Sequence, residues 1–210
     1  MTDVTLTRDE IDAAELADWR QFGPLLRGRF RSGNFAIGVH LVERIGAVAD
    51  QLGHQPDIDL RHRHVDVTLS GVDAGGITAQ DVSLASRISQ VAAELMIPAQ
   101  PSAVSVVELA LDTPDHGRIK PFWRAVLGYV DNPLADDEVR AADAGSPPIW
   151  FQASGSDEPR QRFHLDVRVP GEVAQQRIDA TVAAGGRVVD EAPTFTVLAD
   201  ADGNKACVCI

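Results

Sequence analysis

The chain has 210 residues, 44% hydrophobic and 24% charged, with a formal net charge of −12, a composition that buries a core and repels phosphate backbones and anionic lipid. Nucleic acid and membrane surfaces are therefore excluded as first partners. No apolar run approaches the roughly 20 residues that span a bilayer, the N-terminal MTDVTLTRDEIDAAEL is too polar for a secretion signal, and the only cysteines, Cys207 and Cys209, are too close on one strand to bridge readily, which together read as a reduced, cytoplasmic setting.

In chain order, Thr7 caps a short helix through Leu16, and Trp19 to Phe30 reads as extended. Phe35, Val39, Val42, Ile45, Ala49 and Leu52 recur at helical spacing and predict an amphipathic helix over 34–52. Residues 60–70 alternate, with Val65, Val67 and Leu69 on one face and His62, His64, Asp66 and Thr68 on the other. After an Ala74-Gly75-Gly76 turn, Thr78 with Asp81 forms a capping box that opens a helix burying Val82, Ala85, Ile88 and Leu95. The segment Ile97-Pro-Ala-Gln-Pro-Ser102 has two prolines and no period. It divides the chain into domains at 1–97 and 104–210, with 98–103 as linker.

The second half carries a faint internal repeat. Val107-Glu-Leu-Ala-Leu-Asp-Thr-Pro114 aligns with Phe163-His-Leu-Asp-Val-Arg-Val-Pro170, each a strand, then a proline, then a helix-like segment followed by short strands. The acidic run Asp136-Asp137-Glu138 reads as a solvated loop. Helices and strands are mixed throughout, so the fold class is α+β, with an antiparallel sheet in the N-terminal half and paired βαβββ modules in the C-terminal half.

The stretch ADQLGHQPDIDLRHRHVDVTLSGVDAGGITAQD resembles the signature region of the pterin-4a-carbinolamine dehydratases. That family dehydrates a carbinolamine with three histidines as acid and base, a task suited to a side chain that titrates near neutrality. The resemblance places the first histidine at His54, the second at Gln55 and the third at Val72. It places the acidic residue at Asp50, the strand tyrosine at His62 and the last aspartate at Asp81. One histidine of three survives, and valine transfers no proton. His54, Gln55, Asp50 and His62 are the candidate catalytic residues on this reading. His62 and His64 are either a relocated acid/base pair or solvated strand residues, and Asp81 reads first as a helix cap.

The pieces LALDTPDHGRIKPFWRAVLGY, IWFQ, HLDVRVP, AAGGRV and LADADGNKACVC resemble small glyoxalase-like members of the vicinal oxygen chelate superfamily. There, two βαβββ modules form a bowl with metal ligands on its inner face. By strand alternation, Glu108, Gln152, His164 and Cys207 oppose the apolar residues beside them, and the resemblance makes these four the candidate metal ligands. The alternatives are a divalent metal on this set or a metal-free bowl in which Glu108 and His164 pair or touch a ligand directly. Trp150, Asp166 and Arg168 are candidate ligand contacts, Trp150 as a stacking platform.

Two functions follow as expectations. One is a small-molecule lyase with a degenerate dehydratase site, acting on a pterin-like or other heterocyclic ligand. The other is a non-catalytic binding or sequestering protein of the glyoxalase/bleomycin-resistance type, its first domain serving homodimer or higher homo-oligomer formation.

Overall fold

The computed structural model describes residues 4–70, 75–142, 145–155, 163–199 and 205–210. The chain folds as two compact units, Met1–Val104 and Ser105–Ile210. Among the described residues, no helix is long and apolar enough to cross a membrane.

In the first unit, α1 (Arg8–Ala13) begins in a capping box: Thr7 Oγ1 accepts from the Glu10 amide, and the Thr7 amide donates to Glu10 Oε2 at 2.8 Å. Strands β1 (Trp19–Phe22) and β2 (Leu25–Phe30) fold back on each other at Gly23-Pro24. Helix α2 (Phe35–Leu52) starts at the Asn34 cap. Strands β3 (Asp57–Leu60) and β4 (Val65–Ser70) and helix α3 (Ala79–Glu94), capped by Thr78, complete the unit. The sheet is antiparallel in the order β1-β2-β4-β3.

Its inner face contributes Leu26, Phe30, Val65, Val67 and Leu69 to one core with Leu41, Ile45 and Ala49 of α2 and Leu84, Ala85 and Ile88 of α3. This burial is the main force holding the unit together, at about 25 cal/mol per Å² of apolar surface removed from water. The outer face is polar, and Arg29 Nε and Nη2 each donate to the Asp66 carboxylate at 2.6 Å.

One expectation changes here. Residues 60–70 are not one strand: the chain reverses between Leu60 and Val65, with the Arg61 amide donating to His64 O at 2.9 Å. Asp57–Leu60 alternates as well as its neighbour does and pairs with β4, so His62 lies exposed in the turn rather than beside Asp66 on a strand face. The segment read as a linker packs along β2 beyond the start of β1, through Arg31 N–H to Pro98 O (2.9 Å) and Gln100 N–H to Arg29 O (2.7 Å).

The second unit consists of two βαβββ modules. The first is β5 (Val106–Thr113), α4 (His116–Leu127), β6 (Val130–Asn132), β7 (Ala135–Arg140) and β8 (Ile149–Ala153). The second is β9 (Phe163–Arg168), α5 (Gly171–Ala183), β10 (Arg187–Ala192), β11 (Phe195–Ala199) and β12 (Lys205–Cys209). They share one eight-stranded sheet, order β10-β11-β12-β9-β5-β8-β7-β6. The leading strands β5 and β9 pair antiparallel at its centre, and each runs parallel to the last strand of its own module.

One face of the sheet carries the helices. Leu111, Ile149 and Phe151 pack with Ile119 and Trp123 of α4, and Val167, Leu198 and Val208 pack with Val173, Ala174 and Ile178 of α5. The opposite face is therefore open to form the bowl. Asp136 to Glu138 lie within β7 rather than in a loop, since Val139 is fully buried and pairs with Ile149.

Candidate functional site

In the first unit, Gly53 ends α2 in the left-handed conformation (φ 63°) and delivers His54 toward the start of α3. His54 Nε2 lies 2.8 Å from Asp81 Oδ1. Asp81 is completely buried, and its other oxygen accepts from both the amide and the hydroxyl of Thr78 at 2.8 Å. One carboxylate thus caps a helix and fixes an imidazole. Gln55 Nε2 donates to Asp50 Oδ1 at 3.4 Å, a long and exposed contact. His62 joins neither pair, being exposed in the β3–β4 turn. Val72 lies outside the described residues.

In the second unit, cross-strand register brings the polar residues together. Partners across a sheet share a face, so Glu108 with Asp166, and Asp166 with Cys207, form one row. Trp150, Ala110 and His164 form the next, and Asp112 with Gln152 a third. A cavity of about 740 Å³ opens here, lined in part by Asp112, Trp150, Gln152, His164, Asp166 and Cys207. Arg168, Lys205 and Phe195 also border it.

Asp166 is the hub of this floor. Its Oδ2 accepts from the Trp150 indole N–H at 3.2 Å, and its Oδ1 lies 3.5 Å from His164 Nε2. Cys207 Sγ lies within 4.8 Å of it. Burial works against the Asp166 charge, but His164, Cys207 and Trp150 hold its carboxyl below the usual range all the same. Burial and the neighbouring Asp166 charge push the Cys207 thiol up to about 12, so at neutral pH it is a protonated donor and a poor nucleophile. The other ring nitrogen of His164 lies 3.9 Å from Asp112 Oδ1.

Residues 4–91 match the family model for pterin 4 alpha carbinolamine dehydratase. A Nocardia farcinica protein carrying the provisional name pterin-4-alpha-carbinolamine dehydratase is 37% identical over 94 residues, which is 44% of this chain and 99% of that protein. The chain belongs to the pterin-4a-carbinolamine dehydratase family. A Mycobacterium tuberculosis protein with the same provisional name is 36% identical over 85 residues, 40% of this chain and 90% of the relative. Residues 108–209 match the model for a glyoxalase-like domain, so this dehydratase-family chain continues into a second domain that these relatives lack. Among solved structures, a transcriptional coactivator/pterin dehydratase from Brucella melitensis is 24% identical (TM-score 0.40; 42% of this chain, 98% of that one). A glyoxalase/bleomycin resistance protein/dioxygenase superfamily member from Vibrio splendidus is 16% identical (TM-score 0.35; 50% of this chain, 98% of that one).

Of the ligand set expected for this dehydratase-family chain's glyoxalase-like domain, the structure brings His164 and Cys207 together and leaves the other two aside. Glu108 Oε2 accepts from Arg168 Nε at 2.7 Å, and Glu108 is not among the carboxylates whose oxygens cluster with His164 and Cys207. Gln152 is exposed near the mouth of the cavity. A metal shared by Glu108, Gln152, His164 and Cys207 therefore does not fit these side chains. Ligand atoms of His164, Asp166 and Cys207 all lie within 4.8 Å of one another. The signal for Asp166 was strand alternation, which puts it on the face of His164; only the pairing of β9 with β12 sets it against Cys207.

Proposed function

We propose that this protein is a small-molecule lyase of the dehydratase-like/glyoxalase-like fusion type, cytoplasmic and homo-oligomeric, whose working pocket is the bowl of the second domain. Its first domain keeps the family fold but no longer dehydrates 4a-hydroxytetrahydropterin. Carbinolamine dehydration needs one group to protonate the departing hydroxyl and another to take a ring proton. Of the three family histidine positions only His54 is a histidine, and its Nε2 is committed to Asp81 at 2.8 Å.

The observation that carries this reading is the cavity of about 740 Å³ over His164, Asp166 and Trp150. Its size suits a ligand of a few fused rings, and it combines apolar ring surface from Trp150 and Phe195 with a few convergent polar groups. A planar heterocycle fits that lining, its face against the Trp150 and Phe195 rings.

A second reading, binding without turnover, is favoured by the Arg168–Glu108 pair, which ties up a carboxylate that would otherwise serve as a base.

Two measurements on the full chain test the proposal. The carbinolamine dehydration rate should equal that of the His54→Ala variant, and a wild-type rate that this substitution lowers tenfold sinks the degenerate-site reading. Titration of metal-free protein in EDTA with pterins and other planar heterocycles should quench tryptophan fluorescence saturably in wild type and not in Trp150→Phe. Quenching that survives in the variant places the ligand elsewhere, and product formation separates the lyase from the sequestering protein. Light scattering checks the oligomer.

A further inference from the structure

We propose that His164, Asp166 and Cys207 form a binding site for one thiolate-accepting divalent metal such as zinc, built wholly within the second module and excluding Glu108. Imidazole, carboxylate and thiol together form a donor set for a borderline-soft ion, and the sulfur disfavours magnesium or calcium. Their ligand atoms already lie within 4.8 Å of one another. Tetrahedral zinc with bonds of about 2.0–2.3 Å needs roughly 3.2–3.8 Å between ligands, so side-chain rotations of about 1 Å close the site.

The scaffold beneath the three groups is rigid. Asp166 and Cys207 are direct register partners on paired strands, and His164 lies two residues before Asp166 on the same face. Surrounding groups flank two of the three donors, as second partners do in metal sites. The Trp150 N–H holds Asp166 Oδ2 and leaves Oδ1 turned to His164. His164 presents Nε2 to Asp166, with its Nδ1 on the side of the Asp112 carboxylate. The cavity lies over all three, giving a three-ligand centre an open position for a substrate oxygen or water.

Glu108 is kept out by Arg168 at 2.7 Å, because a metal there would have to displace a fixed guanidinium. The ligand set is thus displaced from the two-module arrangement that the fold implies: Asp166 replaces Glu108, and the first module supplies supporting residues only.

This deepens the reading of the bowl as the working pocket, and its test uses no organic ligand, so the two fail separately. Cobalt(II) is titrated into metal-free full-length protein and followed by absorption. The expected result is one equivalent bound, with a near-ultraviolet sulfur-to-cobalt charge-transfer band that zinc abolishes on displacing cobalt. Cys207→Ser should lose that band while visible cobalt bands remain. Asp166→Asn should weaken binding at least tenfold, and Glu108→Gln should change it less than twofold. A wild-type spectrum without the charge-transfer band overturns the proposal, and this result stands whether or not any variant folds. Glu108→Gln weakening cobalt as much as Asp166→Asn overturns it too, provided both variants melt like wild type by circular dichroism.

Discussion

Glu138 lies half-buried on β7, in register with Trp150, and accepts from Asn132 Nδ2 at 2.6 Å. Burial first, then the charges of Glu108 and Asp137, hold its carboxyl above the ordinary 4.5. A carboxyl whose pKa is raised by folding contributes stability that is fully present below its unfolded value and lost as pH rises through its folded one. At neutral pH the ionised side chain therefore works against the second unit. Glu138→Gln should raise that unit's melting temperature at pH 7, with the substituted amide oxygen still accepting from Asn132. The difference should vanish near pH 4, and melts of both proteins across that range check it. The run Asp136-Asp137-Glu138 gave no hint of this, because three adjacent acids look solvated until alternation separates exposed Asp137 from half-buried Glu138. The Glu108–Arg168 pair was equally hidden: it depends on the antiparallel register of β5 and β9, whose residues lie far apart in the chain.

Elements defined by local chemistry were the readable ones. The cap at Thr7, the capping box at Thr78 and the helical period of residues 35–52 are contained in their own stretches of sequence, and the structure has helices at all three. The β3–β4 hairpin was not readable, since its turn, Arg61-His-Arg-His64, has none of the glycine, asparagine or proline that usually mark a reversal. The end of α2 makes a test of local chemistry. Gly53 closes the helix at φ 63°, and the next amide, that of His54, returns to Ala49 O at 3.1 Å. A Cβ there would meet nothing within 4 Å, so the cost of a side chain is conformational alone. Gly53→Ala should destabilise the first unit by about 1–2 kcal/mol and Gly53→Asn by less, as asparagine tolerates the left-handed region. Urea denaturation followed by helical circular dichroism measures both, and equal costs for the two variants would contradict the argument.

At the scale of the molecule, each unit has its own apolar clusters. Among the described residues, one cluster runs from Ile11 to Ile97. The other two are assembled between Leu109 and Val208. Cooperativity follows shared core, so full-length protein should unfold in two transitions rather than one. Asp81 assigns them. It is fully buried, caps α3, and holds both Thr78 and His54, so Asp81→Ala removes a cap and strands a buried amide and a partly buried imidazole. The expected cost is about 3 kcal/mol. In a domain near 100 residues that corresponds to a drop of about 10–20 °C. Scanning calorimetry of Asp81→Ala should show one transition lowered by that amount and the other within about 1 °C of wild type, the larger shift coinciding with loss of the α2 and α3 helical signal. A single transition in wild type, or both transitions falling together in the variant, would show that the two cores unfold as one.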